Sequence, residues 1–232
     1  MKNPKITVTK DGPYQVSGSI PLAKEIIISD AKGIPILWKR GKKFPLQGTY
    51  NLCRCGHSKD KPFCDGSHKK SRFKGKETAP HIPHKDQVTE TTTGPGLVLD
   101  DAEAFCAVAL FCHRAGDAWN LTERSQDPSA KKTAIHEACD CPSGRLVARD
   151  PKTGKAFEPE FSPSIGVIEN PRKKHSGPLW VKGRIRVRGA NGKAYEVRNR
   201  VTLCRCGRSK NKPFCDGTHV TMKFKDGDPS VK

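Results

Sequence analysis

Leu52–His68 reads LCRCGHSKDKPFCDGSH, and Leu203–His219 reads LCRCGRSKNKPFCDGTH. Only three of these 17 positions differ, and the offset is 151 residues throughout. Chance does not produce such a match, so one unit has been duplicated. The likeness extends outward. Nine residues after the third cysteine of each copy stands a phenylalanine, Phe73 and Phe224, each flanked by lysine. Upstream, Gly12-Pro13-Tyr14-Gln15-Val16 resembles Gly177-Pro178-Leu179-Trp180-Val181, and the first copy carries about fourteen extra residues before its first cysteine.

The charge follows the same division. The 232-residue chain has a formal net charge of +19. Residues 1–100 hold +9, residues 101–170 hold −3 and residues 171–232 hold +13. The basicity belongs to the repeats, and the segment between them is a separate, mildly acidic piece. Gly 21 and Pro 18 favour turns and short elements over long helices. A hydrophobic content of 34% argues against wholesale disorder, and the pattern excludes a coiled coil or a collagen. Met1–Asp11 has no apolar core of a signal peptide, and the longest apolar run, Ala104–Cys112, is nine residues. A spanning helix needs about 20. The expectation is a soluble, cytoplasmic chain that does not engage a membrane, in which clustered cysteines are metal ligands more often than disulfides.

Both repeats read as β. Leu179–Arg188 alternates as one strand, with Leu179, Val181, Ile185 and Val187 on its apolar face, and Asn191-Gly192 signals a hairpin. Ile26–Ile28 and Ile34–Trp38 are strands of the first copy. Residues 78–96 read as a linker. In the middle piece, Asp100 or Asp101 is expected to cap a helix reaching Arg114. Asp127-Pro128-Ser129 opens a second helix, and Arg145–Arg149 is a strand. The fold expected is α+β: a β-rich unit over 1–77, the linker 78–96, a small α+β domain over 97–170 and a second β-rich unit over 171–232.

Each motif has the spacing C-x-C-x8-C-x3-H: Cys53, Cys55, Cys64 and His68, then Cys204, Cys206, Cys215 and His219. Four such donors within sixteen residues make one metal-binding loop. Alternation puts the C-x-C pair on one side of an extended segment, and a helix begun at Asp65 brings His68 to Cys64. Structural zinc accepts Cys3His but usually uses C-x2-C. A two-iron cluster with three thiolates and one imidazole suits the spacing better. Arg54, Lys59, Lys61, Arg205, Lys210 and Lys212 read as tuning or docking residues or as a solvated basic loop. Asp65 and Asp216 read as helix caps, and Ser58 and Ser209 as donors to a cluster sulfur or the backbone.

These motifs resemble the CDGSH iron–sulfur family, also called NEET proteins, whose pattern C-x-C-x2-[ST]-x3-P-x-C-D-G-[SAT]-H both copies match. The resemblance implies a [2Fe–2S] cluster in each copy. Cys53 and Cys55 would hold one iron and Cys64 with His68 the other; Cys204, Cys206, Cys215 and His219 would repeat the arrangement. It further implies two β-rich units forming an internal pseudo-dimer on one chain. The function expected is one-electron transfer, or cluster storage and delivery, without a substrate of its own. The partner would be a redox or cluster-acceptor protein with an acidic docking surface. The competing reading is a tandem zinc module on nucleic acid, disfavoured by few aromatics and no base-reading motif. Cys106-x5-Cys112 and Cys141-Pro142-Ser143-Gly144 are similar to a divergent single-cluster ferredoxin domain. Residues 107–111, AVALF, read as helical, which would put Cys106 and Cys112 on opposite faces. On that reading Cys106, Cys112, Cys139 and Cys141 are buried thiols of a ferredoxin-like spacer, and a third cluster stays open. His113 and His136 read as surface residues.

Overall fold

The computed structural model describes residues 3–231. The first unit contributes β1 (Lys5–Val8), β2 (Tyr14–Ser17), β3 (Leu22–Ser29), β4 (Pro35–Lys43), β5 (Thr49–Leu52) and the one-turn helix α1 (Ser67–Lys70). The middle piece holds β6 (Glu90–Thr93), β7 (Val98–Asp101), α2 (Ala118–Glu123), α3 (Pro128–Asp140) and β8 (Leu146–Arg149). The second unit holds β9 (Ser164–Asn170), β10 (His175–Lys182), β11 (Arg186–Arg188), β12 (Arg200–Leu203) and α4 (Thr218–Thr221).

The two units exchange a strand. One sheet has the order β11-β1-β2-β5, the other β12-β10-β9-β3-β4. Strand β11 leaves its own unit and pairs parallel with β1, Ile6 opposite Val187. Strand β3 does the reverse, pairing parallel with β9, Leu22 opposite Ile165. Each sheet therefore reads as crossed strand, first, second and last. The Leu179–Arg188 alternation is not one strand. Gly183 (φ 79) and Arg184 (φ 58) break it, and the chain leaves one sheet for the other. The apolar period survives the break because both halves face one core. Ile6, Tyr14 and Leu52 of the first unit pack there with Val167, Leu179, Val187 and Leu203 of the second. Each large apolar side chain removed from water contributes roughly 1.5–3 kcal/mol, so this shared core is what joins the units.

The first copy's extra residues build β4 at the free edge of β3. From there Trp38 packs on Phe111 (centroids 4.8 Å) and Trp180 (4.7 Å), and its Nε1 donates to Asp140 O at 3.2 Å. The middle piece has its own antiparallel sheet, β6-β7-β8, and its own core of Leu97, Leu99, Leu121, Ala134 and Leu146. Asp127 caps α3, accepting from Ser129 N and Ala130 N, as its sequence predicts. The expected helix over 102–114 does not form. Two short 3-10 turns, Glu103–Phe105 and Phe111–His113, flank a loop with Val108 (φ 52) and Leu110 (φ 63) left-handed. Its apolar side chains serve burial rather than a helix: Ala109 and Phe111 pack with Ile27, Ile168 and Trp180. Residues 78–96, read as a linker, contain a 3-10 turn at His84–Gln87 and strand β6. Strand β9, which falls within the 97–170 stretch, lies in the sheet of the second unit.

Candidate metal centres

Both motif loops are built alike, each at the end of a sheet strand. Cys53 follows β5 and Cys204 follows β12. The loop then folds back on its strand. Cys53 N donates to Pro62 O at 2.8 Å and Cys64 N to Asn51 O at 2.9 Å; Cys204 N donates to Pro213 O and Cys215 N to Thr202 O, both at 2.9 Å. This return brings the third cysteine beside the first two. Asp65 fixes the next bend by accepting from Lys59 N (2.8 Å) and Ser67 N (2.9 Å), and Asp216 does so from Lys210 N and Thr218 N. The residues at the helix caps are Gly66 (φ 86) and Gly217 (φ 84), left-handed positions that glycine fills without strain. Asp65 and Asp216 are thus turn-formers one residue earlier than expected. The short helices α1 and α4 then present His68 and His219.

The donors gather as two pairs in each loop. Cys53 Sγ lies 3.7 Å from Cys55 Sγ, and Cys64 Sγ lies 3.4 Å from His68 Nδ1. The second loop gives 3.6 Å for Cys204–Cys206 and 3.4 Å for Cys215 Sγ to His219 Nδ1. Two thiolates on one tetrahedral metal at about 2.3 Å stand about 3.7 Å apart, and a thiolate and an imidazole nitrogen about 3.5 Å apart. Each pair has the spacing of half a tetrahedral site. Among the described residues, no group of three or more His, Cys, Asp or Glu gathers around a single metal ion. Each pair could hold a metal ion between its two donors. Backbone amides also point at sulfur: His57 N lies 3.4 Å from Cys55 Sγ and Gly217 N 3.5 Å from Cys215 Sγ. Within each C-x-C pair one thiol sheds its proton readily. The hydrogen bond from Cys55 holds Cys53 down at about 6, and that from Cys206 holds Cys204 at about 6. The retained proton is held correspondingly tightly by Cys55 and Cys206.

The two loops touch. A Cβ on Gly56 would stand 2.7 Å from Cys206 O, and one on Gly207 2.5 Å from Cys55 O, so both close approaches require glycine. Tyr14, in the first unit, directs its hydroxyl between Cys204 O (2.8 Å) and Pro213 O (3.0 Å) of the second loop. Sequence reading missed this residue. The available signal was that the aligned upstream segments differ there, tyrosine against Leu179.

The sites differ in burial. His219 and Cys215 are each 2% exposed, whereas His68 and Cys64 are half-buried. Burial, with the nearby His175 and Arg205, holds the His219 imidazole down at about 3.

The basic neighbours divide, against the reading of one solvated basic loop. Arg54 and Arg205 are wholly buried. Arg54 donates to Gly12 O, Gly75 O and Thr9 O at 2.8–2.9 Å. Arg205 donates to Gly177 O, Ile168 O, Glu169 (2.8 Å) and Asp226 (2.5 Å). Both hold the loop to its unit and are out of reach of a partner. Lys61 and Lys212 donate to Ser58 O and Ser209 O within the loop, while Lys59 and Lys210 are exposed. Ser58 and Ser209 donate to the carbonyls of Phe63 and Phe214, the backbone role anticipated for them.

In the middle piece, Cys106, Cys112 and Cys141 line a cavity of ≈ 80 Å³, together with apolar residues of the 107–111 loop, Pro142 and Leu146. Burial pushes the Cys112 thiol up to about 12, and Cys141 and Cys106 act on it in the same direction. Cys139 lies outside this cavity and donates to Phe157 O at 3.5 Å. His113 and His136 are exposed, as expected.

Comparison with protein families gives two matches. The family described as iron-binding zinc finger, CDGSH type, matches residues 11–69 and 176–220. The family described as divergent 4Fe-4S mono-cluster matches residues 92–151. Neither the curated proteins nor the solved structures give a match.

Proposed function

We propose that this chain, which carries two CDGSH-type domains around a segment of the divergent 4Fe-4S mono-cluster type, holds a [2Fe–2S] cluster in each CDGSH loop and serves in electron transfer or in cluster storage and delivery. The observation that carries this reading is the division of each loop's donors into two tetrahedral-edge pairs, in both copies. Cys53 with Cys55 and Cys204 with Cys206 would each hold one iron; Cys64 with His68 and Cys215 with His219 would each hold the other. When bound, such a group supplies one-electron redox chemistry.

The chain's own residues do the rest. A neutral imidazole in place of a thiolate leaves the site one negative charge poorer, which favours the reduced state. The same nitrogen can take a proton, and a protonated ring cannot ligate, so Nδ1 of His68 and His219 ties retention of the group to pH. The crossed strands and abutting loops support an internal pseudo-dimer, two sites on one chain. A cavity of ≈ 600 Å³ opens between the two loops, bordered by His57, Arg72, Lys74, Arg208, Lys210 and Lys212. That basic mouth suits a redox or cluster-acceptor protein with an acidic surface, steered there electrostatically. No described helix is long and apolar enough to cross a membrane. The reading is of a carrier without a substrate of its own, in a reducing compartment such as the cytoplasm.

Iron and acid-labile sulfide analysis with visible spectra tests this. The expected result is iron with acid-labile sulfide, about two of each for every CDGSH loop. A colourless protein with one zinc per loop and no sulfide would support the zinc module instead.

A further inference from the structure

The family matched by residues 92–151 is described as a 4Fe-4S mono-cluster, and a four-iron cube asks for four ligands. The structure brings three. Cys106 and Cys112 stand at the two ends of the irregular loop, Cys141 follows α3, and all three face one cavity. Cys139, two residues before Cys141, is directed to Phe157 O instead. The position midway between Cys106 and Cys112 is Ala109, which is buried and offers no donor. The remaining lining is mostly apolar: Ala107, Val108, Leu110, Phe111, Pro142 and Leu146. The two polar side chains at the rim each have a carboxylate partner, and Arg145 also lies against the Cys106 thiol. Arg145 is paired with Asp101 through two bonds of 2.6 Å. His113 bonds Asp117 through Nδ1 at 3.1 Å and stacks on Trp119.

Val108 at φ 52 is a costly conformation for a β-branched residue, and it bends the loop around the space rather than along a helix. Three thiols lining one cavity suit a multi-iron group, each iron taking one thiolate.

We propose that Cys106, Cys112 and Cys141 bind a cuboidal [3Fe–4S] cluster, and that Cys139 is not a ligand. The site adjoins the second CDGSH loop. A Cβ on Gly217 would stand 2.6 Å from Val108 Cγ2 and 3.2 Å from Cys106 O, so the two loops are in van der Waals contact. The chain then carries three redox centres in a row: the middle cavity against the second loop, and the second loop against the first. This extends the iron–sulfur reading above but does not depend on the CDGSH loops being loaded.

The test is electron paramagnetic resonance of the full chain, purified without oxidative damage. Oxidised [2Fe–2S] centres are diamagnetic, whereas an oxidised three-iron cluster has one unpaired spin. The expected result is a signal of about one spin per chain in the oxidised protein, with about seven iron and about eight sulfide per chain. Cys106→Ser, Cys112→Ser and Cys141→Ser should each abolish the signal and remove about three iron. Their persisting CDGSH absorbance would show that the chain still folds. Cys139→Ser should keep the signal. The proposal is overturned by a paramagnet seen only after reduction, by loss of the centre in Cys139→Ser or His113→Ala, or by no signal and no iron beyond that of the CDGSH loops. Failure of the CDGSH reading shows separately, as missing [2Fe–2S] absorbance beside an intact oxidised-state spin.

Discussion

Arg205 sits out of water between two carboxylates and two carbonyls, whereas Arg54, its repeat partner, meets three carbonyls and no acid. The two positions are identical in sequence but unequal in what their loss would leave behind. Arg205→Ala leaves Glu169 and Asp226 facing each other unpaired, which costs about 3–5 kcal/mol. Arg54→Ala leaves only carbonyls unsatisfied, at about 1–3 kcal/mol. Urea unfolding of the two variants under the same conditions should rank them in that order; equal losses would show that the carboxylates do not rely on Arg205. The histidines differ in the same way. His219 is held at about 3 and His84 at about 4, both chiefly by burial, against an ordinary value near 6.5. Each is neutral in the folded chain while the unfolded chain takes the proton, so the stability they carry is full above about pH 6.5 and declines toward pH 3–4. Water reaches the half-buried His68 more readily than the buried His219. Cluster absorbance should therefore fall in two phases on acidification, the first site before the second. His68→Cys should slow the early phase and His219→Cys the late one. A single phase unaffected by either variant would remove the imidazoles from control of release.

At the scale of elements, the duplicated motif was plain in the sequence because it is a run of identical residues whose local bonds are also local in the chain. Both loops close on their own strand, so spacing alone anticipated which cysteines and histidine meet in each. The strand exchange was not legible. Leu179–Arg188 keeps its apolar period through Gly183 and Arg184, and side-chain period records which face is buried, not which sheet the strand joins. The Ala104–Cys112 run misled for a related reason. A short apolar run shows that a segment is buried, and periodicity alone does not distinguish a helix from a loop wrapped on a core. Val108 and Leu110 in left-handed conformations are what tertiary packing imposed there. Gly183 gives the crossing a test. Its φ of 79 and the 2.5 Å approach of Pro163 N to a Cβ placed there leave no room for a side chain. Gly183→Ala should lower the thermal midpoint by an amount equivalent to about 1–3 kcal/mol. Gly192→Ala, at a hairpin with open space around it, pays only the backbone part and should lose less. Equal losses would mean that the crowding at the crossing is relieved without cost.

Over the whole molecule, three of the largest fully buried side chains are Arg54, Arg200 and Arg205, so the +19 read from composition overstates what a partner meets. These three arginines act inward, fastening loops to strands and the second unit to the middle piece, where Arg200 reaches Cys141 O and Ala138 O. Part of the outward share borders the cavity between the paired loops, at Arg72, Lys74, Arg208, Lys210 and Lys212. Those loops and their two sheets form one structure rather than two modules on a string. Ile6 and Val187 pair across units, Leu22 and Ile165 pair the other way, and Tyr14 closes the second loop from the first unit. A cut in the chain between the units should leave this intact. The turn at residues 151–154 is exposed and lies between β8 and β9, with open space at Gly154. A protease site inserted there should yield fragments of residues 1–152 and 153–232 that elute together at the size of the uncut protein and keep the absorbance of both proposed clusters. Each fragment lacks a strand of its own sheet, so separating them exposes unpaired edges and the shared core, a loss no isolated half can offset. Fragments that part without denaturant, each retaining its cluster, would show instead that the repeats fold as independent units and that the exchanged strands contribute little to holding either site.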